Sequence, residues 1–428
     1  MPDGDRDRAP NAAERQALNF TTVILCACLF LQRFGVPLGS LSVSLVGPIG
    51  LALAFLGLLT GALAFSTWRL VAFLALTGIA ALGMIWQSSV PSSFDGGSQV
   101  QSTAQFLLLT SFAVFSFAQP VSERRFFDRV NFWLAVIAVA GIVQFVAQFA
   151  GLGLFAFTGL LPDAVLFEAR YNLQIPIGFA GLFKANGFFL VEPSVFSQFM
   201  AIGLIVELLS GKRVKYLALF STGLILSVSG TGWIVLASFV VSAALGMGLR
   251  GLAIAAGTVF AAAVMALAVV QFAPDLADAF GERLGEVSRM GTSGHLRFIT
   301  PFWLLDDVLT RAPSAALVGI GGGISEKLTM PYDYNVNTPI KVALEYGFPA
   351  LVAYLSLFVL GAKSPVQGGL VVPVIVLFLF TGAYQQFPPV LFLLLLLISV
   401  ARLRPDDPPA ALPAGYAATG AARASISA

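Results

Sequence analysis

The sequence predicts an all-α, polytopic integral membrane protein with about 12 transmembrane helices, and three observations lead to this fold class. Hydrophobic residues make up 57% of the 428 residues and charged ones only 11%, about half the charged fraction of an ordinary soluble domain. Apolar runs close to the roughly 20 residues that cross a bilayer recur along most of the chain. Connections rich in Arg and Lys separate these runs at alternate ends, as the positive-inside rule requires.

The apolar runs divide the chain into five parts. A polar cytoplasmic tail over residues 1–16 precedes nine spans within residues 17–272. A long polar loop, 273–337, separates them from three further spans within 338–402, and a Pro- and Ala-rich tail covers 403–428. The expected spans are 17–33, 42–65, 69–87, 99–119, 130–152, 189–209, 216–229, 231–249, 251–272, 338–361, 368–384 and 387–402.

Positive charges set the orientation of these spans. With two short spans on either side of Gly230, the basic connections, among them residues 124–129 and 212–215, all face the cytoplasm. A single bent span at Gly230 would reverse everything after it and place Lys363 and Arg402 outside, so two spans are expected. The loops at 88–98, 153–188 and 273–337 then face the opposite side.

Cysteine and histidine usage argues against a metal centre. Cys26 and Cys28 lie in the first span at positions i and i+2, which face different sides of a helix. They therefore suggest neither a disulfide framework nor a metal site. His295 is the one histidine of the chain, which excludes a His/Cys zinc cluster. We expect no metal, no cofactor and no nucleic-acid partner.

Two pairs of glutamines lie one helical turn apart within the predicted spans. Gln101 and Gln105 lie on the fourth span, and Gln144 and Gln148 on the fifth. Such amides could line a hydrated cleft, with Gln105 and Gln148 binding substrate. They could equally form hydrogen bonds between helices, worth about 0.6 kcal/mol each. The sequence leaves both interpretations open.

A carboxylate stands at the outer end of the sixth span, where Glu192 precedes Pro193 and Ser194. Proline is favourable in a first helical turn, and an acid just before it can cap the helix and interact with its dipole. The same carboxylate could act as a general base. Glu345, on the tenth span, allows a similar pair of interpretations.

Several cations lie in the predicted outer loops, against the usual bias, which suggests an anionic ligand for some of them. Arg297 is the strongest candidate because it accompanies Trp303 and a glycine run, 319–323, rather than an acidic cluster. Arginine binds phosphate through two parallel hydrogen bonds, whereas lysine acts as a point charge. The run around Gly321 lacks the Lys-Ser/Thr of a nucleotide-binding loop, so it fits a substrate-facing loop or a simple bend.

Taken together, these segments resemble the O-antigen polymerase and O-antigen ligase superfamily of bacterial glycan assembly. The resemblance covers roughly residues 90–360 and depends on the order of several short motifs. They are Lys184 with Gly187-Phe188 and Glu192-Pro193, Ser227-Val228-Ser229-Gly230, Arg297 with Trp303, Gly319 to Gly323, and Asn337 followed by Glu345-Tyr346-Gly347.

The resemblance implies a GT-C-like membrane fold and a metal-independent, inverting glycosyl transfer at the periplasmic face of the bacterial inner membrane. The donor would be an oligosaccharide on polyprenyl (undecaprenyl) diphosphate, and the acceptor a sugar hydroxyl. Besides this substrate and the lipid bilayer, a chain-length regulator protein is a candidate partner. The candidate catalytic residues are Glu192 and Arg297; the candidate substrate-binding residues are Lys184, Arg170, Asn337, Gly321, Gln105 and Gln148.

Two departures from the pattern bear on the reaction. Ligases of the superfamily carry histidine directly before the closing asparagine, where this chain has Val336 before Asn337. Lys184 also stands where the superfamily has arginine. The first departure favours a polymerase of repeat units for O-antigen or exopolysaccharide over a ligase that transfers glycan to the lipid A core. A transporter of lipid-linked glycan is a further alternative, but it should show matched helix breaks in two halves, and the sequence has one, near Gly230.

Overall fold

The computed structural model describes residues 10–38, 41–89, 100–167, 174–177, 181–211, 213–246, 248–272, 288–358, 365–380 and 403–404. Within these residues the chain is mostly α-helical, which confirms the predicted helical class. The last predicted span, 387–402, lies outside the described residues, as do most of both predicted tails.

Eleven of the described α-helices lie on predicted apolar runs, and the other three, within 293–318, lie in the predicted long loop. Those before residue 273 are α1 (Ala12–Phe30), α2 (Val46–Leu59), α3 (Thr67–Ser89), α4 (Val100–Thr110), α5 (Glu123–Ala147), α6 (Pro193–Val206), α7 (Val214–Leu226), α8 (Gly230–Gly246) and α9 (Gly248–Phe272). Those after it are α10 (Ser293–Phe298), α11 (Thr300–Arg311), α12 (Ala315–Val318), α13 (Thr338–Ser356) and α14 (Pro365–Phe380).

Three helical segments in the described part are both long and apolar enough to cross a bilayer. They are Thr67–Ser89, Glu123–Ala150 and Pro193–Ser210. Shorter apolar helices are Val46–Leu59, Val100–Val114, Val214–Leu226, Gly230–Leu245 and Gly251–Ala261. The predicted break near Gly230 is present, because α7 ends at Leu226 and α8 begins at Gly230. The number of twelve spans stays a prediction.

The region predicted as one long loop contains helices α10, α11 and α12. Helix α11 is amphipathic, and it buries Leu304 and Val308 in a small apolar core of its own. Ala315, Ile320, Ile324, Val336, Ile340 and Leu344 complete that core. The sequence does not show these helices because α10 and α12 are short, and Asp306, Asp307 and Arg311 interrupt the apolar run of α11.

Short strands add three small two-stranded sheets to the helical architecture. The antiparallel pairs are β1 (Gly35–Leu38) with β2 (Leu41–Ser44) and β3 (Leu63–Phe65) with β4 (Phe115–Phe117); the parallel pair is β5 (Val121–Ser122) with β6 (Leu403–Arg404).

The start of α5 ties together two distant parts of the chain. Glu14, on α1, accepts a hydrogen bond from the Ser122 amide (2.9 Å) and forms an ion pair with Arg125 (2.8 Å). Residues 403–404 pair with β5 at the same place. The beginning of α1 and residues 403–404 therefore lie at the same end of α5.

Helix α6 is the centre of the described helices, and it contacts α5, α7, α8 and α14. Its Phe196 ring lies against three glycines, Gly141, Gly187 and Gly223; a Cβ atom on Gly141 would approach the ring to 2.4 Å. A Cβ atom on Gly232 would approach the Ser197 carbonyl oxygen of α6 to 2.4 Å. Small residues thus allow the neighbouring elements to approach α6 closely, and this packing fixes the beginning of α6.

Candidate active site

The residues that lead into α6, 183–192, form an irregular segment inside the helical assembly. Gly187 (φ 71°) and Phe188 (φ 64°) both adopt left-handed backbone conformations. Glycine adopts this conformation readily, whereas a phenylalanine does so at a cost in conformational energy. Non-helical backbone within an apolar environment is stable only when its peptide groups have hydrogen-bond partners.

Two glutamines of the α5 region supply partners to this segment from one side. The Gln144 Oε1 atom accepts hydrogen bonds from the amides of Asn186 (3.2 Å) and Phe188 (3.3 Å). The Gln148 side chain accepts from the Phe183 amide (2.7 Å) and donates to the Phe183 carbonyl (3.0 Å). The predicted amide pair on the fifth span therefore positions the segment, because its amides bond to backbone.

Residues after the end of α1 supply partners from the other side. Gln32 Oε1 accepts from the Val191 amide (3.3 Å), and Arg33 Nε donates to the Leu190 carbonyl (2.8 Å). Both side chains are buried. Sequence reasoning missed this pair, although two adjacent polar residues at the end of an otherwise apolar span were the available signal.

The segment brings two of the predicted site residues to a cleft of about 350 Å³. This volume is in the range of small-molecule sites, roughly 300–1,000 Å³. Arg297 of α10 lines the same cleft, although it is remote in sequence. The polar and charged side chains that line it are Lys184, Glu192, Ser194, Ser229, Thr231 and Arg297.

The Glu192 carboxylate faces the cleft and does not cap α6. Glu192 occupies the N-cap position with extended backbone (φ −154°, ψ 161°), and its side chain accepts no hydrogen bond from a backbone amide of the described first turn. It accepts a hydrogen bond from the Ser194 hydroxyl, two residues on. The capping interpretation of Glu192 is therefore wrong for the side chain, and a half-buried carboxylate is placed at the cleft wall.

The N-terminal ends of α6 and α8 meet at this cleft through hydroxyl groups. Ser197 Oγ donates to the Ser194 carbonyl (2.8 Å) and accepts from the Gly232 amide (3.1 Å), which belongs to the first turn of α8. Thr231 Oγ1 donates to the same Ser194 carbonyl (3.1 Å). Helix N-termini carry partial positive charge, so the two ends add to the charges of Lys184 and Arg297. The electrostatics of the cleft suit an anion.

The turn between α7 and α8 is strained where it meets the cleft. Val228 lines the cleft and has a φ of 43°, a genuine outlier for a β-branched residue. Backbone strain of this kind persists only where surrounding contacts impose it, and it concentrates at functional sites. The motif from Ser227 to Gly230 therefore shapes the cleft through its backbone.

Asn337 lies next to Arg297 without being among the described residues that line the cleft. Its Oδ1 atom accepts from the Ile340 amide (3.2 Å) and so caps α13, while Nδ2 donates to the Arg297 carbonyl (3.5 Å). The predicted substrate-binding residue thus contacts the backbone that carries Arg297.

Gly321 lies against a kink in α13. The kink is at Gly347, which has a φ of 86°. The Gly321 amide donates to the Glu345 carbonyl (3.1 Å), and the Ile320 amide donates to the Leu344 carbonyl (2.8 Å). A Cβ atom on Gly319 would lie 2.3 Å from the Glu345 backbone. The glycine run therefore packs against the kinked helix, and Gly321 is not among the described residues that line the cleft.

Two candidate residues remain. Gln105 is exposed on α4, as is Gln101, and the structure does not bring Gln105 to the cleft. Arg170 lies outside the described residues. Across the described ranges, no three His, Cys, Asp or Glu residues come together in a way that could hold a metal ion.

A family model described as WcaD colanic acid polymerase matches residues 20–400. The chain belongs to this family. The match covers every motif from Lys184 to Gly347, and it confirms the resemblance to surface polysaccharide polymerases that those motifs predict. No curated protein matches the chain.

Replacing Gln144 with leucine tests the role of the α5 amides. In Gln144→Leu the amides of Asn186 and Phe188 lose an acceptor, and an unsatisfied buried group costs about 1–3 kcal/mol. We expect a lower unfolding temperature of the purified protein in detergent and a loss of polymer, because Lys184 is displaced. Gln101→Leu, at an exposed position, is the matched control and should change neither. An unchanged unfolding temperature in Gln144→Leu would contradict this role.

Proposed function

We propose that the cleft transfers a glycan from polyprenyl (undecaprenyl) diphosphate to a sugar hydroxyl, so that the protein polymerises lipid-linked repeat units into surface polysaccharide. One observation carries this proposal. Lys184 and Glu192 of the segment before α6 line one cleft together with Arg297 of α10, which is remote from them in the sequence. A pair of cations beside a carboxylate is the set of groups that this reaction needs.

The cations act on the leaving group. As the bond between the anomeric carbon and the diphosphate breaks, negative charge develops on the diphosphate oxygens. Lys184 and Arg297 stabilise that charge, and the N-terminal ends of α6 and α8 contribute to the same field. Because these groups supply the positive charge, the transfer is metal-independent.

The Glu192 carboxylate acts on the acceptor. It takes the proton of the acceptor hydroxyl while the oxygen attacks the anomeric carbon. The bond from that carbon to the diphosphate oxygen breaks as the new glycosidic bond forms, and the electron pair leaves with the diphosphate. A single displacement of this kind inverts the configuration at the anomeric carbon. The Ser194 hydroxyl orients the carboxylate.

The membrane setting follows from the nature of the substrate. The polyprenyl chain stays in the bilayer among the apolar helices, and the cleft faces the periplasm from the bacterial inner membrane. The predicted arrangement of about twelve spans places Lys184, Arg170 and Arg297 on that side. Arg170 would add a further cation near the diphosphate, and a chain-length regulator would act on the same face.

Polymerisation is favoured over the two alternatives. The matching family is described as a polymerase, which favours neither a ligase nor a transporter. Val336, which stands where ligases carry histidine, is buried in the apolar core around α11. That position therefore contributes packing, and the site has no histidine there to act on a lipid A acceptor.

The first test of this proposal changes the geometry of one cation without changing its charge. Lysine cannot reproduce the paired hydrogen bonds of arginine to phosphate, so Arg297→Lys should lose most of its polymer at normal protein level. Arg311, which forms an ion pair with Asp307 (2.7 Å) on α11, provides the control Arg311→Lys. Full polymerisation by Arg297→Lys would remove Arg297 from the diphosphate site.

The second test removes the basicity of Glu192 and keeps its shape. Loss of a general base costs about 10²–10⁴-fold in rate, and Gln preserves the hydrogen bond from Ser194. Glu192→Gln should therefore insert and fold normally but make little polymer, as measured by polymer length at matched protein level in membranes. Asp163→Asn, at an exposed carboxylate, is the control. Wild-type polymer from Glu192→Gln would assign Glu192 to structure.

A further inference from the structure

Three rings form a cluster beside the cleft: His295 of α10, Trp303 of α11 and Tyr332 in the chain before α13. His295 and Trp303 meet edge to face with 5.3 Å between ring centroids, and Trp303 and Tyr332 meet the same way at 5.7 Å. Trp303 is 40% exposed. The proposed transfer at the cleft uses none of these side chains.

Two polar atoms in this cluster are buried and have no hydrogen-bond partner among the described residues. They are His295 Nδ1 and the Tyr332 hydroxyl oxygen. Only 6% of His295 is exposed. Burial and the nearby Asp307 carboxylate raise the pKa of Tyr332, so its hydroxyl keeps its proton and can donate. Unsatisfied buried groups are costly and uncommon in native proteins, which points to a bound partner.

The cluster shares helix α10 with part of the cleft wall. His295 stands between Gly294 and Arg297, both of which line the cleft. Trp303 contacts the rings of both His295 and Tyr332, so a rotation of its partly exposed indole would uncover the two polar atoms. A ligand bound there would lie next to the groups assigned to transfer.

The chemistry of the cluster fits a saccharide. A sugar ring has an apolar face of C–H groups and a rim of hydroxyls. Tryptophan and tyrosine provide a large apolar surface together with a polar group that seeks a hydrogen bond when buried. An indole that is partly exposed and two unpaired polar atoms therefore match both features of a sugar.

We propose that the ring cluster of His295, Trp303 and Tyr332 binds the acceptor saccharide. A sugar ring stacks on Trp303, and its hydroxyls form hydrogen bonds with His295 Nδ1 and the Tyr332 hydroxyl. The role as acceptor site rests on the proposed function, because it is the neighbouring cleft that holds the donor diphosphate. The cluster then presents an acceptor hydroxyl toward Glu192.

Binding of a lipid-free saccharide tests this assignment without requiring catalysis. The probe is the oligosaccharide that mild acid releases from the lipid-linked repeat unit of the source strain. Its binding to the purified full-length protein in detergent is measured by calorimetry. Trp303→Ala should weaken binding about tenfold, Tyr332→Phe should weaken it less, and Trp303→Phe should restore part of it.

The neighbouring aromatic residue on α11 provides the control. Phe302 is 57% exposed, and Phe302→Ala should bind the saccharide as the wild type does. Affinities are compared only for variants whose unfolding temperature equals that of the wild type. Trp303→Phe keeps the test valid if Trp303→Ala does not fold. Wild-type affinity in both Trp303 variants, or no binding by the wild type, would overturn the assignment.

The outcome separates this inference from the proposed function. Arg297→Lys should bind the lipid-free saccharide normally while making little polymer. If Trp303→Ala binds normally and Arg297→Lys fails to polymerise, the saccharide site is wrong and the transfer site stands. If Trp303→Ala loses binding while Arg297→Lys polymerises normally, the saccharide site stands and the transfer site is wrong.

Discussion

The structure depends on one constraint, which is that the irregular backbone before α6 must be hydrogen-bonded where little water is available. Gln144 and Gln148 bond to it from one side, and Gln32 and Arg33 from the other. These bonds satisfy peptide groups that a helix would otherwise satisfy internally. The left-handed turn at Gly187 and Phe188 is retained for this reason, and it sets where α6 begins.

The close packing of α6 turns this local constraint into a site. Gly232 allows α8 to approach α6 closely. The Ser197 hydroxyl of α6 accepts a hydrogen bond from the Gly232 amide and so holds the N-terminal ends of the two helices together. Two helix N-termini therefore open on the same cleft as Lys184 and Arg297. The rings of His295, Trp303 and Tyr332 add apolar and polar groups on and beside the helix that carries Arg297. In the proposed assignments the cleft holds the donor diphosphate and the ring cluster holds the acceptor saccharide.

Much of the fold and the centre of the candidate site follow from the sequence alone. Apolar runs predict most helices, since each run has to be buried within the protein or face lipid. Lys184, Glu192 and Arg297 are predicted by motif order, and the structure places them on one cleft. Helix α11 is not predicted, because its charged face hides the apolar stripe that Leu304 and Val308 form, and α10 and α12 are too short to show a helical period.

The contacts of individual polar residues are harder to predict. The partners of Gln148 are peptide groups 35 residues away, and no periodicity in the sequence encodes such a pairing. Gln32 and Arg33 escape notice for the same reason. Gly321 is conspicuous in a glycine run, yet its freedom of conformation serves close packing on the kink in α13.

The proposed binding of a diphosphate by Lys184 and Arg297 is tested most directly by the affinity of the purified protein for farnesyl diphosphate, a short prenyl diphosphate. Wild-type protein should bind this probe and should not bind farnesol at the same site. Lys184→Gln should weaken binding about tenfold or more, since a charge contact in a partly desolvated site is removed, whereas Lys327→Gln, at an exposed position, should not. Equal affinity of the wild type and Lys184→Gln for farnesyl diphosphate would exclude Lys184 from the diphosphate site.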